Sequence, residues 1–167
     1  MNRIVLVATA LILALSGCAA APQTGKTVYV LQGKEDWYDK YHYAPVLRSG
    51  DMVILSGIAA AGDGSYDDKV RRMFERMKAE LALAGLTPAD VVEITTFHTQ
   101  PKDTPAFDAE WDEFLKIHAE YFPAGNYPAW TAIGGIVLLA PGVVVEMRVV
   151  AIAGAGKSLQ VNYQSHP

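Results

Sequence analysis

Near the end of the chain the run VVVEMRVVAIA, residues 143–153, holds one acid and one base among apolar residues: Glu146 and Arg148. In an extended strand, residues two apart share a face and stand about 7 Å apart. A carboxylate and a guanidinium so placed suit two arrangements. One is an ion pair inside an interface, because a partly buried charge without a partner is costly. The other is a site, with Arg148 holding an anionic group and Glu146 placing water or accepting a proton. Trp130 opens the preceding apolar run. Its indole can fill volume with the N–H satisfied locally, or wall a cleft for a ring-bearing or uncharged ligand.

Other chemistries find less support. The formal net charge is −4 and no basic run occurs. Nucleic acid is therefore not expected as a partner, since such binding needs clustered Lys and Arg. His42, His98, His118 and His166 are scattered without ligand spacing, and Cys18 is the single cysteine. No metal and no cofactor are expected. His118 falls on the apolar stripe of a helix and reads as a core histidine. The glycines around Asp63 lack a Lys in phosphate-loop spacing.

The first residues read as an export leader. Arg3 supplies the positive start, and Ile4 to Leu15 is an apolar stretch too short to span a bilayer. Leu15-Ser16-Gly17-Cys18 resembles the bacterial lipoprotein cleavage box. The resemblance implies cleavage after residue 17, lipid on Cys18, and a protein held on the periplasmic side of the outer membrane, the sorting suggested by Ala19. Residues 18–26 then form a tether, 27–154 one domain and 155–167 a tail. A lipidated Cys18 leaves no intrachain disulfide, so packing or oligomerisation must stabilise the domain.

Within 27–154, strand and helix signals alternate. Thr27 to Gln32 is β-branched and alternating, and Lys34 to Lys40 reads as loop. Two strand-like runs flank a hairpin turn at Ser49-Gly50-Asp51. Ser65 with Asp68 is a capping-box signal, and Val70, Met73, Phe74, Met77 and Leu81 recur at helical spacing up to a stop at Gly85. Arg71, Arg72, Lys78 and Glu80 form the polar side. Asp90 to Gln100 is a strand. A second helix opens with Thr104 as cap and Pro105 in its first turn. Phe107, Trp111, Phe114, Leu115, His118 and Phe122 are its stripe; Asp108, Glu110, Asp112 and Glu113 crowd its early turns, and Pro123 ends it. Ala129 to Leu139 and Val143 to Ala153 are the last strands. The order β-ββ-α-β-α-ββ makes an α+β fold: about six mostly antiparallel strands with two helices on one face. Both faces of the last strand are largely apolar, so the uncovered face marks an interface between subunits.

The stretches YAPVLRSGDMVILSG (43–57), AGLTPADVVEITTF (84–97), PAWTAIG (128–134) and GVVVEMRVVAIA (142–153), with the Phe107–Phe122 helix, resemble the Rid family, also known as the YjgF or L-PSP endoribonuclease family. The resemblance spans roughly residues 38–154. It implies a chorismate-mutase-like subunit and a homotrimer with a central barrel and ligand clefts between subunits. Members of the RidA type hydrolyse enamines and imines, using an Arg directly after Pro-Ala whose guanidinium forks onto the substrate carboxylate. Here that position is Trp130, which has one N–H donor and no charge. Glu146 matches the family's first acid in the last strand, and Arg148 stands at the second. Ile58 replaces the Gln that often follows Ser-Gly, here Ser56-Gly57; Leu115 stands at the family's helix Asn; Tyr43 matches its Tyr. Gly134 is a candidate to lend a backbone N–H to the cleft. The reading is an exported, lipid-anchored homotrimer that binds a small metabolite through Trp130, Tyr43, Gly57, Ile58 and Gly134, with chemistry diverged from RidA. The alternatives are an imine or enamine deaminase working through Glu146 and Arg148, and a non-catalytic scaffold.

Overall fold

Alternation along the last strand decides which side of the sheet is covered. The computed structural model describes residues 25–122 and 124–164. Its elements are β1 (Thr27–Tyr29), α1 (Glu35–Tyr41), β2 (Val46–Ser49), β3 (Met52–Ala60), α2 (Tyr66–Leu83), β4 (Val91–His98), α3 (Thr104–Tyr121), β5 (Ala129–Gly134) and β6 (Val145–Ile152). The strands form one sheet in the order β1-β2-β3-β6-β4-β5. All neighbours are antiparallel except β4 and β5, which run parallel. Val145, Met147, Val149 and Ala151 of β6 are buried, with Val53, Leu55, Ile58 and Ala60 of β3 and Ile94 of β4 on the same side. The stripe Val70, Met73, Phe74, Met77 and Leu81 of α2 seals that side, and Phe114 and Ile117 of α3 complete it. Glu146, Arg148, Val150 and Ile152 face the other way and are only half-buried.

Local signals set the boundaries. Gly50 takes φ 60° at the tight turn between β2 and β3, a value glycine adopts at little cost. The Ser65 hydroxyl accepts from the Asp68 N–H while the Asp68 carboxylate accepts from the Ser65 N–H, a complete capping box. After α2, Gly85 takes φ 76° and the Leu86 N–H returns to the Leu81 carbonyl at 2.9 Å.

The structure corrects several expectations. Residues 35–41 are a helix, not a loop: Glu35 and Asp36 in the first turn and Lys40 in the last complement its dipole. The cap of α3 is Asp103, whose carboxylate accepts from the Ala106 N–H, and Thr104 is already helical. The first strand ends at Tyr29 rather than Gln32. β5 stops at Gly134 rather than Leu139, because Gly135 turns to φ 71° and leaves the ladder. Glu80 is fully buried, since it follows Met77 by three residues and so lies on the stripe; its Oε1 accepts from Arg76 Nε at 2.7 Å. Leu115 is 38% exposed and Ile117 takes its place in the core. Residues 1–24, Pro123 and 165–167 lie outside the described residues, so the leader, Cys18, His166 and the Pro123 stop lie there too.

The Phe74 ring meets Phe114, Tyr121 and Phe122, with centroids at 5.6, 4.8 and 6.3 Å. Phe74→Ala should therefore cost about 3–5 kcal/mol. Leu115→Ala, on the exposed side of α3, should stay within about 0.5 kcal/mol. Urea denaturation of both variants checks the pair. Equal losses would show that the covered face has been misassigned.

Candidate functional site

On the open face of the sheet β6 crosses a defect in β3. The β3–β6 register shifts between Leu55 and Ile58, so Ser56 and Gly57 form a bulge. Gly57 lies under the Glu146 carboxylate, and a Cβ there would collide with it. Glycine is thus required by close approach rather than by backbone angle. Burial raises the Glu146 carboxyl above its ordinary range, and among the described residues no cation pairs with it. Beside the bulge, Ser56 Oγ donates to the Ala44 carbonyl at 2.6 Å, and the Ser56 N–H donates to the Pro45 carbonyl at 2.9 Å. These bonds hold the segment containing Tyr43 against the bulge. Tyr43 is half-buried, with its ring 6.4 Å from Trp37 of α1.

The expected pairing of Glu146 with Arg148 does not form. Arg148 Nη1 instead donates to Glu93 Oε1 at 3.2 Å, across the strand pair. The reason is register: Arg148 faces Thr95 on β4, which puts Glu93 one pleat away on the same face, and Glu146 faces Phe97. Their side chains are 43% and 47% exposed, so this pair contributes at most about 1 kcal/mol.

Trp130 is not on the Glu146 face. It pairs with Ile94, on the helix-covered side, and lies 4.5 Å from His118 and 4.3 Å from Trp111 by ring centroid. Its Nε1–H donates to Thr96 Oγ1 at 3.0 Å. The indole thus fills volume with its N–H satisfied locally. Ile58 is likewise fully buried under the helices rather than lining the open face. Gly134 approaches α3 closely: a Cβ there would stand 3.2 Å from Phe107 Cδ1. Of the sequence candidates, then, Gly57 and Glu146 come together, Tyr43 lies on the segment bonded to the bulge, Arg148 shares the face of Glu146, and Trp130, Ile58 and Gly134 belong to the packing beneath. His118 is a core histidine, and burial pushes its pKa down to about 4.

A second polar group escaped the sequence reading. Thr96, His98 and Glu110 are buried between β4 and α3. His98 Nδ1 bonds Glu110 Oε1 at 2.6 Å, His98 Nε2 bonds Thr96 Oγ1 at 3.0 Å, and Tyr66 OH donates to Glu110 Oε1 at 3.0 Å. The available signal was spacing. Glu110 follows Phe107 by three residues and precedes Phe114 by four, which places it on the stripe of α3 rather than among its solvated acids. Among the described residues no three His, Cys, Asp or Glu side chains converge as metal ligands.

A mixed six-stranded sheet with its long helices on one face defines an α+β subunit of the chorismate-mutase-like class. The family profile described as Endoribonuclease L-PSP matches residues 37–153. The RutC family protein YjgH of Escherichia coli (strain K12) is 31% identical over 131 residues, covering 75% of this chain and 94% of that protein. A RutC family protein of Haemophilus influenzae is 29% identical over 116 residues, covering 66% of this chain and 85% of that one. The crystal structure of Rv2704 from Mycobacterium tuberculosis, described as a member of the YjgF/YER057c/UK114 family, superposes with a TM-score of 0.64 at 25% identity, covering 77% of this chain and all of that one. The chain belongs to the Endoribonuclease L-PSP family, the family that the sequence resemblance indicates under the name Rid.

The raised Glu146 carboxyl fixes a pH signature. A folded pKa above the unfolded one adds stability that is full below the unfolded value and fades as pH rises through the folded value. Stability measured against Glu146→Gln should therefore decline as pH climbs upward from about 4.5, the ordinary Glu value. Denaturant midpoints of both proteins across that range decide it. A difference that grows with pH would mean that Glu146 is held as a stabilised anion.

Proposed function

We propose that the protein is a homotrimer that binds a small metabolite in clefts between subunits, with Glu146 as the acid–base group of each cleft. The observation that carries this reading is the placement of Glu146 over Gly57, partly desolvated and unpaired among the described residues. Burial favours the protonated form of this carboxyl, which suits it to give as well as accept a proton. Exposed apolar side chains along the open face and beyond it, Met52, Ile133, Val137 and Leu139, support a partner subunit there. The ligand differs from the 2-imino acids of RidA. Where the resemblance implies a carboxylate-clamping Arg, Trp130 stands and is turned to the helix side. Export belongs to the same reading, with cleavage before Cys18 and lipid on that residue holding the domain on the periplasmic side of the outer membrane.

A second reading is favoured by the exposure of the Arg148–Glu93 pair. A ligand anion can displace Glu93 at little cost, leaving Arg148 as the anchor and Glu146 to activate water. The reaction is then hydrolysis of an imine: water adds across the C=N bond, and the carbinolamine collapses to a carbonyl compound and ammonia.

Two experiments test these readings. Light scattering of the full chain in mild detergent should give three subunits after correction for bound detergent, and a monomer overturns the cleft. The decay of 2-imino acids formed in situ by an amino-acid oxidase should be unchanged by the wild type. Acceleration that falls about a hundredfold or more in both Glu146→Gln and Arg148→Ala replaces the first reading with the second. For export, labelled palmitate should enter the wild type and not Cys18→Ser; equal labelling of both removes the lipid anchor.

A further inference from the structure

Glu110 poses a problem that its neighbours solve only halfway. The residue is 9% exposed, and both of its recorded hydrogen bonds, from Tyr66 and from His98, fall on Oε1. Among the described residues Oε2 accepts none. It is also not among the buried atoms left without a partner, so it has an open side. That side is a cleft of about 310 Å³ lined by Tyr66, Gln100, Pro101, Ala106, Glu110 and Glu113 with Ala109. The volume is at the small end of ligand sites.

Counting donors and acceptors shows what Glu110 lacks. Trp130 Nε1–H donates to Thr96 Oγ1, which leaves the Thr96 hydroxyl to donate to His98 Nε2. His98 then donates from Nδ1 to Glu110. Both ring nitrogens of His98 and one oxygen of Glu110 are thereby partnered. The network orients Glu110 through Oε1 alone, and among the described residues no Lys or Arg forms an ion pair with it. Oε2 is left to accept from whatever occupies the cleft. Glu113 at the cleft edge adds to the negative field, since burial, the neighbouring Asp67 and then Glu110 raise its carboxyl.

We infer that this cleft, on the helix-covered side and separate from the Glu146 face, binds a small organic cation, a primary amine, through Glu110. An alkylammonium has three N–H donors, and Glu110 Oε2, the Glu113 carboxylate and the Gln100 side-chain carbonyl are the acceptors around the cleft. Pro101, Ala106 and Ala109 offer aliphatic wall for its carbon end. A bare metal ion fits poorly, because hard cations need several oxygen ligands converging on one point.

The test uses the full chain and ethylammonium chloride as probe, with propionate and propanol as anionic and neutral controls of similar size. Binding heat and the indole N–H signal of Trp130, assigned with Trp130→Phe, are followed together. Ethylammonium should bind saturably and shift the Trp130 signal through the hydrogen-bonded chain, and neither control should. Glu110→Gln should weaken binding by about tenfold or more, because the charge-assisted contact is lost. Ala106→Phe, at an exposed position that leaves Glu110 and His98 intact, should abolish binding by filling the cleft, and it decides the matter if Glu110→Gln does not fold. No saturable binding in the wild type, or binding undiminished in Ala106→Phe, overturns the site.

Discussion

Both faces of the central strands are apolar, and among the described residues only two long helices, α2 and α3, are there to cover them. On β6 the pleat sends Val145, Met147, Val149 and Ala151 one way and Val150 and Ile152 the other. α2 and α3 seal the first set. The second set, with Met52 and Ile54 of β3, stays uncovered in a single subunit. The pleat period admits no compromise, because a one-residue slip would exchange the two sets and bring Glu146 and Arg148 under the helices. The polar residues of the open face follow from the same constraint. They stand between apolar neighbours on a face that can be wet or can meet another subunit, and such a face can host both a ligand and an interface.

The bulge at Ser56-Gly57 is the local device that makes room for the Glu146 carboxylate on this face. Without it, β3 would present a regular row of side chains beneath β6, and the Glu146 carboxylate would have no space. With it, one residue is left without a side chain, and the segment leading into β2 is tied to Ser56 by two short bonds. Partial desolvation of Glu146 follows from this geometry, since the carboxylate lies down on backbone instead of extending into water.

Sequence periodicity carried most of the fold, and where it misled, the cause was a competing local effect. Val70, Met73, Phe74, Met77 and Leu81 are all buried, because three-and-four spacing leaves one face no other role. The capping box at Ser65 and the stop at Gly85 were equally legible, each being a backbone requirement written in one residue type. Glu80 and Glu110 were hidden by their charge. Residue type suggested a solvated face, while helical position placed both on the apolar stripe, where Arg76, Tyr66 and His98 supply partners that no local pattern reveals. The pairing of Arg148 with Glu93 was invisible for a related reason. It depends on the register between β6 and β4, two strands that are not neighbours in sequence.

Trp130 ties β5 into the helix-covered side of the sheet. Its indole N–H needs an acceptor in a layer built from Trp111, Phe114 and His118, and Thr96 provides it. Thr96 can accept from Trp130 and still satisfy its own hydroxyl because His98 offers a ring nitrogen, and His98 can offer it because Glu110 takes the proton on the other side. Tryptophan at this position therefore stands within a chain of four further polar side chains, ending at Tyr66. An Arg placed at 130 would bring a guanidinium charge into an aromatic layer, at a cost in desolvation. Trp130, in place of a carboxylate-clamping Arg, and the buried His–Glu pair thus belong to one hydrogen-bonded layer on the helix-covered side.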